Sequence, residues 1–118
     1  MSKVALKRCP DYDIERVYKS IAESIELLGG ISSFIKKGER VLLKPNLLSA
    51  KPIEKAVTTH PAVIEAVIRI VKDAGANPFI GDSPGIGSAG QVAAKSGIKE
   101  VADRYGLEII NLLDGIHV

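Results

Sequence analysis

The residues with the most chemical potential in this sequence follow a short apolar run, Val41-Leu42-Leu43. Lys44 comes directly after it and offers a positive charge that can bind a phosphate or a carboxylate. The alternative is a strand-end lysine that pairs with a carboxylate or reaches solvent. Asn46 follows Pro45 and can orient a ligand, or it can bridge the backbone of a loop. The stretch predicts a buried strand that delivers two polar side chains to a loop.

A second group of polar residues precedes the strongest helical pattern of the chain, at Thr58, Thr59 and His60. Pro61 suits the first position of a helix, where its missing N–H is not needed, and a Thr hydroxyl is expected to cap that helix. His60 is a candidate general base or metal ligand, and the alternative is a capping or surface histidine. The positive end of the helix dipole would add to anion binding beside Lys44.

A third group begins with Asp82, which ends an apolar stretch. Its carboxylate is a candidate to hold a metal or to polarise Lys44 or His60, and the alternative is an Asx turn that closes the loop. Gly81 to Gly85 matches the G-x-S-x-G pattern around Ser83. However, Pro84 has no N–H to complete an oxyanion hole, and Asp114 and His117 lie only three residues apart, so the sequence argues against a serine hydrolase.

The glycines from Gly85 to Gly90 match G-x-G-x-x-G and precede a helical pattern. A dinucleotide fingerprint begins at the strand end itself, whereas residues 81–84 intervene here. Gly85 and Gly87 therefore remain candidates for an amide cradle around some anion, and the alternative is a loop that only lies over the site.

The elements that must position these residues alternate between strand and helix. Strands are predicted at Val4 to Leu6, Arg40 to Leu43, Pro78 to Ile80 and Leu107 to Leu112; helices are predicted from Asp11 or Asp13 to Gly29-Gly30, from Pro61 to Gly75, and from Gln91 to Tyr105 with a break at Gly97. This order predicts a three-layer α/β/α sandwich with a mostly parallel sheet of about four strands, in which residues 40–43 form a central strand.

In a parallel sheet, ligands bind beyond the carboxyl ends of the strands. The predicted strand ends and helix start would meet at that rim, together with Asn111 and Asp114. The candidate site residues are Lys44, Asn46, Thr58, Thr59, His60, Asp82, Ser83, Gly85 and Gly87.

The composition limits the class of protein. The 118 residues are 46% hydrophobic and 25% charged, which predicts one globular domain over residues 1–118. A net charge of +2 argues against nucleic-acid binding. No signal peptide or membrane-spanning stretch is recognisable, which predicts a cytoplasmic protein. The single cysteine, Cys9, is expected to be half-buried at a strand end, and one thiol can form neither an internal disulfide nor an iron–sulfur cluster.

The sequence resembles the family called domain of unknown function 362. The resemblance rests on Val41 to Asn46, Thr58 to Pro61, the helix up to Gly75, and Gly81 to Gly85, in that order. Members of that family are usually longer, so the resemblance implies that this chain is the N-terminal part of a longer protein. Some members carry ferredoxin-like iron–sulfur segments, a role that does not extend to a chain with one cysteine. The family has no settled activity.

Two hypotheses follow. In the first, Lys44 and the helix start bind an anionic small molecule, while His60, Asp82 and Lys44 perform acid–base chemistry or hold a divalent metal. Two ligands are too few for a closed metal site, so water, substrate or another segment would have to complete it, and the cofactor stays unknown. In the second, the chain is a non-catalytic accessory or interaction domain that self-associates or docks onto a missing C-terminal part, for example of an iron–sulfur protein.

Overall fold

The computed structural model describes residues 2–45, 59–82 and 97–112. Within these ranges, the elements are helix α1 (Ile14–Leu27), a 3₁₀ turn (Ile31–Ser33), strand β1 (Arg40–Leu43), helix α2 (Pro61–Asp73), strand β2 (Asn77–Asp82), helix α3 (Ile98–Arg104) and strand β3 (Ile109–Asn111).

The three described strands form one parallel sheet in the order β1-β2-β3. Leu43 pairs with Ile80, and Asp82 pairs with Asn111, so all three strands end at the same rim. Right-handed crossovers between neighbouring strands place α2 and α3 on the same face, and these two helices contact each other. The prediction of a parallel α/β fold is confirmed.

The strand predicted at Val4 to Leu6 is wrong, because these residues belong to no strand or helix. Val4 is 84% and Leu6 89% exposed. Their short apolar run suits a strand, but a strand also needs a neighbour to supply hydrogen bonds, and none of the described strands pairs with them. Cys9 is also exposed rather than half-buried, and its thiol donates to the carbonyl of Asp11 at 3.2 Å.

Local sequence signals explain where α1 begins and ends. The carboxylate of Asp13 accepts a hydrogen bond from the backbone N–H of Arg16, so Asp13 is the N-cap. Gly29 and Gly30 follow the helix with positive φ angles of 114° and 87°, which a glycine adopts without the strain of a Cβ. The apolar stripe of α1 then packs against α2, which is also the helix that lies on the sheet.

The core lies between the sheet and the helices α2 and α3. Its completely buried side chains include Ile68 of α2, Ile80 of β2 and Ile98 at the start of α3. Helices α2 and α3 therefore cover one face of the sheet, and α1 packs against α2. The second helical layer and the fourth strand of the predicted sandwich are not among the described elements.

The other face of the sheet carries Leu42, Phe79 and Ile110, since neighbouring positions along a strand point to opposite faces. Leu42 is 42% exposed. The guanidinium of Arg40 lies 4.3 Å from the centre of the Phe79 ring and pairs with Glu108 at 2.8 Å. Among the described strands, β1 is thus an edge strand with a partly exposed face, and its predicted central position is wrong.

Candidate functional site

The rim of the sheet brings together two residues that the sequence placed there, Lys44 and Asp82. The Nζ atom of Lys44 lies 3.2 Å from Oδ1 of Asp82. Their proximity follows from the parallel register, in which Leu43 pairs with Ile80 and both chains then run past the same rim. The Asp82 side chain is 3% exposed and that of Lys44 is 52% exposed. A buried carboxylate is therefore paired with an ammonium that solvent can still reach.

Thr59 connects the end of β1 to the start of α2. Its hydroxyl donates to the carbonyl oxygen of Pro45 at 2.7 Å, and its backbone N–H lies 3.4 Å from the same oxygen. The predicted Thr cap is not made by Thr59, because its hydroxyl binds the strand side of the connection instead. The consequence is that the start of α2 is held directly beside the end of β1.

His60 is the N-cap of α2. Its Nδ1 atom accepts a hydrogen bond from the N–H of Ala62 at 3.0 Å, while its carbonyl accepts from Val63 and Ile64 at 3.0 and 3.4 Å. Pro61 has no N–H to offer. All the amides of the first turn therefore have partners within the helix, so α2 presents its dipole to the rim without a free first-turn amide.

The same contacts define what the His60 imidazole can do. Because Nδ1 accepts a hydrogen bond, the neutral ring carries its proton on Nε2 and acts as a donor there. The ring of Tyr12 stacks on it, with centroids 3.8 Å apart and an angle of 4° between the planes. Burial lowers the pKa of His60 below its usual value. The capping alternative for His60 is thus observed, and a base at Nδ1 would have to give up the cap.

We expect a pH-dependent stability from His60. Because its pKa is lowered in the folded state, the neutral form is favoured by folding, so stability is complete above pH 6.5 and declines as the pH falls below that value. Titration of the ring protons by NMR should give a pKa below 6.5.

The matched variant for this prediction is His60→Asn, since Asn also caps helices. It should retain most of the stability at pH 8 and lose the pH dependence, whereas His60→Ala should cost about 1 kcal/mol at pH 8 and less at acidic pH, where the wild-type cap is itself weakened. A titration at or above 6.5 for the resonance that disappears in His60→Asn would contradict the assignment.

Several predicted site residues lie outside the described residues: Asn46, Thr58, Ser83, Gly85 and Gly87, and likewise Asp114 and His117. Asn111 lies in β3, directly opposite Asp82 in the register. Within residues 2–45, 59–82 and 97–112, no three His, Cys, Asp or Glu side chains are grouped closely enough to hold a metal ion.

A buried charged cluster escaped the sequence analysis. Glu65 of α2 is 8% exposed. It accepts hydrogen bonds from Arg104 at 2.7 Å, from the Tyr105 hydroxyl at 2.8 Å and from Arg69 at 3.2 Å. Arg69 also reaches Glu15 of α1 at 2.6 Å. The four-residue spacing of Glu65 and Arg69 was the only local signal, and the partners on α1 and after α3 are distant in sequence.

The fold and the rim define a parallel α/β domain with a charged pair where such sheets bind ligands. The family model described as "Domain of unknown function (DUF362)" matches residues 41–118, and the chain belongs to this family, which confirms the resemblance.

One curated relative is the thylakoid-associated protein sll1697 of Synechocystis sp., which is 37% identical over 115 residues. The match covers 98% of this chain and 36% of the relative, so the chain spans about a third of that protein's length. No solved structure shows a significant match. No helix in the described part of the chain has the length and apolarity needed to cross a membrane.

Proposed function

We propose that this chain binds an anionic small molecule at the carboxyl-end rim of its sheet, with Lys44 as the charged contact. The observation that supports this best is the pair of Lys44 and Asp82, 3.2 Å apart across the ends of two parallel strands. The buried carboxylate orients the ammonium from below, and half of the Lys44 side chain remains open to a solute. A lysine fixed in this way acts as a point charge for a phosphate or carboxylate group.

The other candidate residues have proposed supporting roles. His60 would donate from Nε2 to the bound anion, because its Nδ1 atom is engaged in the helix cap. Asp82 would serve as the acid–base group or as one ligand of a divalent metal that other groups complete. Asn46, Thr58, Thr59, Ser83, Gly85 and Gly87 would supply further contacts.

Ligand-induced stabilisation tests the proposal. Phosphate or acetate should raise the melting temperature above that in chloride at equal ionic strength, since binding to the folded state alone adds about 2.7 kcal/mol at 100 times Kd. Lys44→Gln should abolish the rise, and Lys44→Arg should retain part of it. Lys72→Gln, which removes an exposed lysine near the opposite end of α2, should behave like wild type.

Each variant is compared with its own ligand-free melt, because loss of Lys44 also removes the ion pair to Asp82 and lowers the starting stability. A rise that persists in Lys44→Gln would place the anion elsewhere. If no phosphate or carboxylate raises the melting temperature of the wild-type protein, the proposal is wrong.

The second candidate is an interaction domain of a larger protein. Val4 and Leu6 are 84% and 89% exposed, and Leu42, on the sheet face opposite α2 and α3, is 42% exposed. The relative is also nearly three times as long as the matched region. If no anion shifts melting and sedimentation shows that the chain self-associates, this function replaces the first. A cytoplasmic location is likewise a proposal, since the relative is named for an association with thylakoids.

A further inference from the structure

A groove with a volume of about 420 Å³ lies beside α1, and neither Lys44 nor Asp82 is among the described residues that line it. One wall is the segment 7–12 and the other is α1, and Val63 of α2 contributes to the lining. The volume lies within the range of small-molecule sites, which is roughly 300–1,000 Å³. It is too small for a folded partner, so its size favours a compact solute.

The lining of the groove combines an apolar surface with one uncompensated positive charge. Val17 and Ile21 of α1, with Val63, supply the apolar part. The only carboxylate in the lining, Asp11, binds Arg16 through two hydrogen bonds of 3.0 Å, and this contact lowers the pKa of Asp11. Lys7 makes no ion pair with any described residue.

Two hydroxyl groups, those of Ser20 and Ser24, also line the groove. Ser24 donates to the carbonyl of Ser20 at 2.8 Å, and Ser20 lies 3.4 Å from the carbonyl of Arg8. Because each hydroxyl proton is directed at a backbone carbonyl, each oxygen offers acceptor lone pairs toward a solute, and the positive charge of Lys7 is left as the contact for an anion. We propose that the groove binds a small amphipathic carboxylate, whose charged end meets Lys7 and whose apolar body lies on Val17, Ile21 and Val63.

The groove also touches the start of α2. Tyr12 lines it and stacks on the imidazole of His60 at 3.8 Å. A solute against Tyr12 would therefore change the surroundings of His60 without needing Lys44. Cys9 lines the same wall and is the only thiol in the chain, so it serves as a natural reporter of occupancy.

The probe is hexanoate, followed by ¹H–¹⁵N NMR and by the rate at which N-ethylmaleimide alkylates Cys9. We expect saturable shifts in residues 7–12, 17–24 and 63, a shift of the His60 ring protons, and at least about threefold slower alkylation at saturation, because a bound solute blocks access to the thiol. Acetate, which lacks the apolar body, and 1-hexanol, which lacks the charge, should both bind more weakly.

Matched variants identify the site. Lys7→Gln should lower the affinity for hexanoate about three- to fivefold, the size expected of an exposed ion pair. Lys3→Gln in the same segment should leave the affinity unchanged. Ser24→Leu should fill the groove and abolish the shifts while circular dichroism and melting show an intact fold. Lys44→Gln should leave the hexanoate shifts of residues 7–12, 17–24 and 63 unchanged, even where it removes hexanoate from the rim, so failure here is distinct from failure of the rim site.

Four outcomes would overturn the inference: no saturable hexanoate shifts at residues 7–12, 17–24 and 63 of wild type, equal affinity of these residues for 1-hexanol, equal effects of Lys7→Gln and Lys3→Gln on their shifts, or loss of their shifts in Lys44→Gln. The second would assign the groove to neutral apolar solutes, and the last would move hexanoate to the rim.

Discussion

Replacing Ile80 by Ala is expected to lower the free energy of unfolding by about 3–4 kcal/mol. Ile80 is completely buried in the middle strand, against the helices that cover one face of the sheet. The loss combines the transfer free energy of the deleted carbons with the cavity they leave. Because domains of this size have a total stability of about 5–15 kcal/mol, urea denaturation should show a large shift in midpoint.

Leu42→Ala is the matched control for this substitution. Leu42 lies on the opposite face of the sheet and is 42% exposed, so its truncation should cost less than about 1 kcal/mol. Similar losses for both variants would contradict the one-sided core and would mean that the second face is buried in solution, as the interaction-domain hypothesis requires.

Glu65→Gln is expected to cost about 2–3 kcal/mol at pH 7. Burial alone would raise the pKa of Glu65, but hydrogen bonds from Tyr105 and Arg104 and the nearby guanidinium charges outweigh it, so the pKa lies below its usual value. The amide of Gln cannot accept the three hydrogen bonds and neutralise two guanidiniums. The cluster joins α1, α2 and the end of α3, and the loss should therefore appear as global destabilisation.

The pH dependence of this contribution has a defined sign. The folded-state pKa of Glu65 is lowered, so its stabilisation is complete above the unfolded value near 4.5 and is lost as the pH falls through the lower folded value. Denaturation between pH 7 and pH 3 should show a smaller decline for Glu65→Gln than for wild type. Glu23→Gln, which removes an exposed carboxylate of α1, should change stability by no more than about 0.5 kcal/mol. An unchanged pH profile in Glu65→Gln would contradict the assignment.

Part of the site was predictable because local signals were strong. The apolar run 41–43, the Pro at the first position of α2 and the Asp before α1 each predict an element boundary, and the structure places them accordingly. Given parallel strands, the meeting of Lys44 and Asp82 followed from strand ends alone. The local sequence did not show which residue caps α2, because both Thr59 and His60 can do so. The carbonyl of Pro45 takes the hydroxyl of Thr59, and this contact is not visible in the local sequence.

The Val4 to Leu6 segment shows that local sequence signals do not predict every strand correctly either. Like residues 41–43, it is a run of three apolar residues, yet of these two segments only 41–43 pairs with another described strand. Strand formation depends on a neighbour that supplies hydrogen bonds and apolar contact, and that neighbour is distant in sequence.

The sequence by itself determined the class of fold, the starts of α1 and α2 and the delivery of Lys44 and Asp82 to the rim, because these depend on periodicity and on chemistry within a few positions. Only the tertiary structure decided that the α2 amides are already satisfied, that Glu65 is buried among two arginines and a tyrosine, and that a groove separates residues 7–12 from α1. Each of these depends on contacts between groups far apart in the chain. Such contacts form when the chain packs, and the local sequence does not predict them.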